Sequence, residues 1–207
     1  MRLVTTAVAV LALAASTTVP SATAANVVSF TAENVKAMVT EAGGSNVTAQ
    51  TAQGITFVNF ELNGVPFTYS LQLCDPKGKA GCAGVLMAIG VALDQAYSLE
   101  TLNSFNRDIP LVTVVQLDAK TVAFGRFAVS LGGMSSENFK ANMQMVAVGP
   151  ELFVRHLKGQ VVAGAGTAGQ AVPVSVAADS APKPIRLSPQ AMSQLVDEDL
   201  LNKLNVK

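Results

Sequence analysis

The spacing of apolar residues changes period several times along this chain, and each change marks the boundary of an element. From Thr31 onward, Val35, Met38, Val39 and Ala42 recur at intervals of three and four, which predicts a helix capped by Thr31 and stopped by Gly43-Gly44. The period then falls to two. Residues 47–51 predict a short strand, and residues 55–62, rich in β-branched and aromatic side chains, a stronger one. Asn63-Gly64 is the favoured pair for a type I′ hairpin and leads into 65–73, where Val65, Phe67, Tyr69, Leu71 and Leu73 alternate with Pro66, Thr68, Ser70 and Gln72. That alternation predicts one buried face and one face in water. Pro66 has no amide donor and belongs where no ladder bond is needed.

Residues 83–93 are almost continuously apolar. This suits a central strand buried on both faces or a buried helix, which periodicity alone does not separate. Ser98 then caps a short helix carrying Leu99, Leu102 and Phe105. A second hairpin follows over 111–117 and 121–131, turning at Asp118-Ala119-Lys120. After Gly132-Gly133, Ser135 or Ser136 caps a longer helix with Phe139, Met143, Val146 and Ala147 on one face. Gly149-Pro150 is expected to kink or interrupt it, because proline lacks the amide and clashes with the preceding turn. Leu152, Phe153, His156 and Leu157 then resume the stripe. The order helix, three or four strands, helix, two strands, helix predicts a two-layer α+β domain, an antiparallel sheet with helices on one face.

The composition shifts sharply beyond this point. Sixteen of the 24 residues from 159 to 182 are Ala, Gly or Val, with no aromatic, Leu or Ile and Asp179 as the one charge, so this stretch reads as a low-complexity tether. Ser188-Pro189 starts a C-terminal amphipathic helix whose stripe is Met192, Leu195, Val196, Leu200 and Leu204. The organisation expected is a domain over 26–157, an Ala/Gly/Pro-rich linker over 158–187 and a helix over 188–207. So apolar a helix must dock on its own domain, on a second copy or on another protein, and the long tether favours docking in trans.

Met1-Arg2, the thirteen-residue apolar run 3–15 and the small-x-small site Ala22-Thr23-Ala24 predict a secretory signal peptide over 1–24. The mature chain is then expected to begin at Ala25 or Asn26, to be periplasmic or secreted, and to have no transmembrane segment. The apolar run falls short of the ~20 residues a spanning helix needs. Basic and acidic side chains are equal at 14 each, which leaves no basic footprint for nucleic acid. A chain that is 50% hydrophobic and 14% charged is also outside the range of charge-driven disorder.

Cys74 and Cys82 bracket a polar Gly/Pro loop between two apolar runs. An even count in an exported chain favours a disulfide over free thiols or a metal or redox pair. The literal G-x-G-x-x-G at 164–169 lies in the tether. It is followed by Pro173, Pro182 and Pro184 rather than by a helix aimed at a pyrophosphate, so no cofactor is expected. His156 is the single histidine and no Gly-x-Ser-x-Gly is present; no catalytic residue or metal ligand is assigned. Asn103, Phe105, Asn106 and Arg107 form the most specific group. Its polar members either cap the short helix and hold the next loop through side-chain-to-backbone bonds or contact a partner.

These residues carry a resemblance. The opening helix ending in Gly-Gly, the Leu-Asn-Gly-Val-Pro-Phe hairpin at 62–67, the Cys74 and Cys82 pair, Ser-Leu-Glu-Thr-Leu-Asn-Ser-Phe-Asn-Arg at 98–107 and Gly-Gly-Met-Ser-Ser-Glu-Asn-Phe at 132–139 resemble the YbjN family over roughly residues 28–157. Phe105 stands where that family commonly carries Trp. The resemblance implies a fold similar to type III secretion chaperones, α-β(3)-α-β(2)-α, and a non-catalytic protein-binding, chaperone-like or regulatory role. Its partner would be another protein or a second copy. A small-ligand or envelope-surface binding module and an enzyme with an unrecognised site are the alternatives.

Overall fold

The structure, a computed structural model, describes residues 26–75, 81–159 and 183–195; the segment expected to be a signal peptide, most of the expected tether, and Val196, Leu200 and Leu204 lie outside them. The elements run α1 (Ala32–Glu41), β1 (Ser45–Ala52), β2 (Ile55–Leu62), β3 (Val65–Cys74), β4 (Cys82–Ala92), α2 (Leu99–Asp108), β5 (Thr113–Asp118), β6 (Thr121–Val129), α3 (Ser136–Leu157), β7 (Lys183–Ile185) and α4 (Pro189–Ser193). The strands form one seven-stranded sheet in the order β1-β2-β3-β4-β6-β5, with β7 paired to β4 and all pairings antiparallel. The molecule is therefore α+β.

Local chemistry accounts for the element ends. Thr31 and Asn34 close a reciprocal capping box at α1, while the hydroxyls of Ser98, Ser135 and Ser188 accept from the third residue of α2, α3 and α4. Asn63 and Gly64 both have positive φ, at 51° and 78°, as a type I′ turn requires. Gln53-Gly54 takes the same conformation between β1 and β2.

One face of the sheet carries Val58, Phe60, Phe67, Tyr69, Leu71, Val85, Met87, Ile89, Val91, Val122 and Phe124. Against it pack α1 through Val35, Met38 and Val39, α2 through Leu102 and Phe105, and α3 through Phe139, Met143, Val146 and Phe153. Edge-to-face rings knit this layer, with Phe105 at 5.3 Å from Phe153 and Tyr69 at 5.9 Å from Phe139.

Four expectations change. Helix α3 runs on through Pro150, so of the kink or interruption expected there the interruption does not occur; the buried Gly149 lets the helix lie against Phe124, since a Cβ there would meet that ring at 3.0 Å. Thr68, Ser70 and Gln72 are buried rather than in water. Residues 183–187, which composition placed in the tether, supply a strand and the buried Leu187. Helices also occupy both faces of the sheet, because α4 lies opposite the other three with Met192 buried against Phe57, Leu86, Ala88 and Ala123. Residues 183–195 thus dock in cis, where the tether length had favoured trans. A compositional boundary marks where ordering signals fade, and three-residue pairing is too short to leave a periodic trace.

Candidate functional site

The residues singled out in the sequence fall in three places. At one end of the sheet Cys74 and Cys82 are opposite partners on β3 and β4 and form a disulfide. Cys82 is fixed again by Phe30, whose amide and carbonyl both bond to it, at 2.6 and 2.8 Å. Gly81 has positive φ, and a Cβ there would come within 2.9 Å of the Phe30 carbonyl, so glycine is required on both counts.

The second place is α2, on the helix layer. Phe105 is fully buried between Phe124, Phe153 and His156. The Asn106 side chain donates to the Val114 carbonyl at 2.9 Å and accepts from the Val114 amide at 2.7 Å. Its amide therefore stands in for a neighbouring strand along the free edge of β5. Arg107 is exposed, donating to Asp108 and Ser104, both at 3.1 Å, and Asn103 is exposed. Asn106 thus holds the following strand through backbone bonds, while Asn103 and Arg107 face solvent.

Asp108 also brings a carboxylate to 3.9 Å from Nδ1 of His156, from a different helix, a proximity that no sequence spacing announced. Ser104 donates to the same Asp108 oxygen at 3.3 Å. The carboxylate therefore lies between hydroxyl and imidazole, whereas activating a serine requires the imidazole in the middle. Arg126, unmarked in the sequence, points from β6 into the helix layer and donates to Asn142 on α3 and to the Leu111 carbonyl, both at 2.5 Å.

The third place, and the one with room for recognition, is the outer face of the sheet. Phe57, Asn59, Thr68, Ser70, Gln72, Leu86, Ala88 and Ala123 share it, and residues 183–195 cross it. Strand β6 occupies one edge of β4 from Gly84 to Ala92. On the other edge β3 pairs as far as Ala88, and β7 takes Gly90 to Ala92. The segment therefore fills the stretch of edge that β3 vacates. Gly90 makes the approach feasible, since a Cβ there would stand 2.5 Å from Leu187 Cδ2 and 2.9 Å from the Ile185 carbonyl. Thr68 donates to Asn59 Oδ1 at 3.0 Å and lies 3.4 Å from the Leu187 carbonyl. Arg186 pairs with Glu61 of β2 at 3.6 Å. Met192 then enters the apolar cluster, with Leu195 packed against it.

Register places Leu86 opposite Phe127 and Gly84 opposite Val129, so the outer face continues past this cluster toward the disulfide end. There Phe127 and Val129 are 41% and 43% exposed, and Leu131, just beyond β6, is 78% exposed. The Phe127 ring lies over Gly84, where a Cβ would meet it at 2.4 Å. By contrast, the recess between α1 and α3, lined by Met38, Glu41, Ala42, Ser136, Glu137 and Lys140, has a volume of about 150 Å³. Small-molecule sites occupy roughly 300–1,000 Å³.

Among the described residues no group of three or more His, Cys, Asp or Glu side chains is placed to hold a metal, and no helix is long and apolar enough to cross a membrane. No protein-family model, curated protein or solved structure matches this chain.

Proposed function

We propose that this chain is an exported, non-catalytic protein-binding module, YbjN-like in family and secretion-chaperone-like in fold, that engages polypeptide on the outer face of its sheet. The observation that carries the reading is the exposed apolar group Phe127, Val129 and Leu131 at the end of β6. It continues directly from a surface on which a polypeptide segment already lies. Exposed apolar side chains gathered in one place mark interaction surfaces more often than scattered ones do. The disulfide fits an oxidising, extracytoplasmic compartment, and the order α-β(4)-α-β(2)-α through residue 157 supports the YbjN-like reading with one strand more than the resemblance implies.

The test is capture from the native envelope or secreted fraction with the mature protein and, in parallel, with a Phe127→Asp/Val129→Asp variant whose folding is verified by circular dichroism. The expected result is a discrete partner retained by the parent chain and lost by the variant. Identical capture by both would contradict this surface as the site.

A further inference from the structure

Where β3 contributes to it, the outer face of the sheet carries residues that suit water and yet are buried. On the helix side β3 presents Phe67, Tyr69 and Leu71, whereas on the outer side it presents Thr68, Ser70 and Gln72, all three buried. These polar side chains have local partners: Thr68 bonds Asn59 at 3.0 Å and Gln72 bonds Ser70 at 3.0 Å. Water can replace what is removed from these polar groups, and uncovering the face opens only the small apolar cluster of Phe57, Leu86, Ala88 and Ala123. The main core, with its phenylalanines and three helices, lies entirely on the other side.

The covering segment has the form of a bound peptide. It adds three residues to a vacated sheet edge, sets its Leu187 and Ile185 against Gly90, pairs Arg186 with an acidic side chain and ends in one helical turn that buries Met192. Strand addition and helix anchoring are recurrent modes of peptide recognition.

We infer that the outer-face groove of β4 is an exchangeable peptide site, and that residues 183–195 are its resident occupant. The external ligand it fits is a segment of another protein with the same chemistry. Such a segment would be a short extended stretch with branched apolar side chains two residues apart and a basic residue between them, followed by a helical turn carrying a Met-like side chain. This rests on the protein-binding reading of the same face and specifies what is bound there.

The test uses the full mature chain with a specific protease sequence placed near residue 170 and nicked after folding. The probe is a fluorescent synthetic peptide covering residues 183–207. The expected results are that the C-terminal fragment stays with the domain after nicking, that excess labelled peptide displaces it, and that the un-nicked chain binds the probe at least tenfold more weakly. The last follows because a tethered occupant competes at high effective concentration. Gly90→Val in the nicked protein should weaken probe binding at least tenfold while the far-ultraviolet circular dichroism of the domain is retained.

Loss of the domain's circular dichroism when the fragment leaves would overturn the inference, because the segment would then belong to the core. Equal binding of a scrambled peptide, or no exchange at any probe concentration, would overturn it as well. The probe is the chain's own segment, so these outcomes are independent of whether Phe127→Asp/Val129→Asp loses a partner from the native fraction.

Discussion

Replacing Asn106 by alanine removes both bonds that tie α2 to the free edge of β5, at 2.9 Å to the Val114 carbonyl and 2.7 Å from its amide. A net hydrogen bond is worth about 0.5–1.5 kcal/mol, and a buried group left without a partner costs about 1–3 kcal/mol. Asn106 is only half-buried, so water can reach part of the gap, and the smaller figure applies to each bond. The expected loss is about 2 kcal/mol. For a domain of this size, each kcal/mol lowers the melting temperature by roughly 3–5 °C, giving a fall of about 6–10 °C. Asn106→Asp should be at least as damaging at neutral pH, because it retains the acceptor but turns a second oxygen toward the Val114 carbonyl. Asn103→Ala, on the exposed side of the same helix, should stay within about 0.5 kcal/mol. Urea denaturation of the three variants is the assay. An Asn106→Ala midpoint indistinguishable from that of Asn103→Ala would refute the edge-capping role.

Three other substitutions probe different parts of the fold. The Tyr69 hydroxyl is buried with no hydrogen-bond partner, so Tyr69→Phe should stabilise by about 1 kcal/mol in thermal melts. Burial pushes the Tyr69 phenol well above its ordinary range. Its contribution is therefore complete below the ordinary tyrosine pKa and lost as pH rises toward the raised value, and Tyr69→Phe should lessen alkaline unfolding. Cys74→Ala/Cys82→Ala should cost about 2–3 kcal/mol from the released nine-residue loop, read by denaturation with and without reductant. The backbone amide of Lys120, at 2.8 Å, and then the Thr121 hydroxyl hold the Asp118 carboxyl below its usual range. This support is complete above the ordinary carboxyl pKa and lost as pH falls through the lowered one. The Lys120 amide resonance should follow that transition and lose it in Asp118→Asn.

Elements with their own capping or turn chemistry were legible in the sequence. Thr31, Ser98 and Asn63-Gly64 mark ends that the structure reproduces, and the apolar run at 83–93 became the central strand β4. The cysteine pair was legible for the same reason, since an even count and a short Gly/Pro loop between two apolar runs are local signals. What failed depended on partners distant in the chain. Thr68, Ser70 and Gln72 alternate as a wetted face does, and the contact of Leu187 with Thr68 and the burial of Met192 against Leu86 and Ala88 on the same side come from a segment about a hundred residues later. Gly90 carries no sequence signal, because its role is to leave space for a segment the local pattern does not include. Asp108 and His156 meet across two helices, and nothing in the local pattern sets Arg126 apart from the other charges. Asn106 was half legible: its type suggested backbone bonding, but the free edge of β5 became visible only once the strand order was known.

That the chain covers the outer face of its own sheet with residues 183–195 is the claim from which the proposed binding mode follows. Nuclear Overhauser contacts between the Met192 methyl and the methyls of Ala88 and Ala123, recorded on the full mature chain over a range of dilutions, test it most directly. The account predicts strong contacts, since Met192 is 1% exposed within this cluster, and intensities that do not change on dilution because the docking is in cis. A Met192 methyl with no contact to either alanine, or contacts that vanish on dilution, would contradict it.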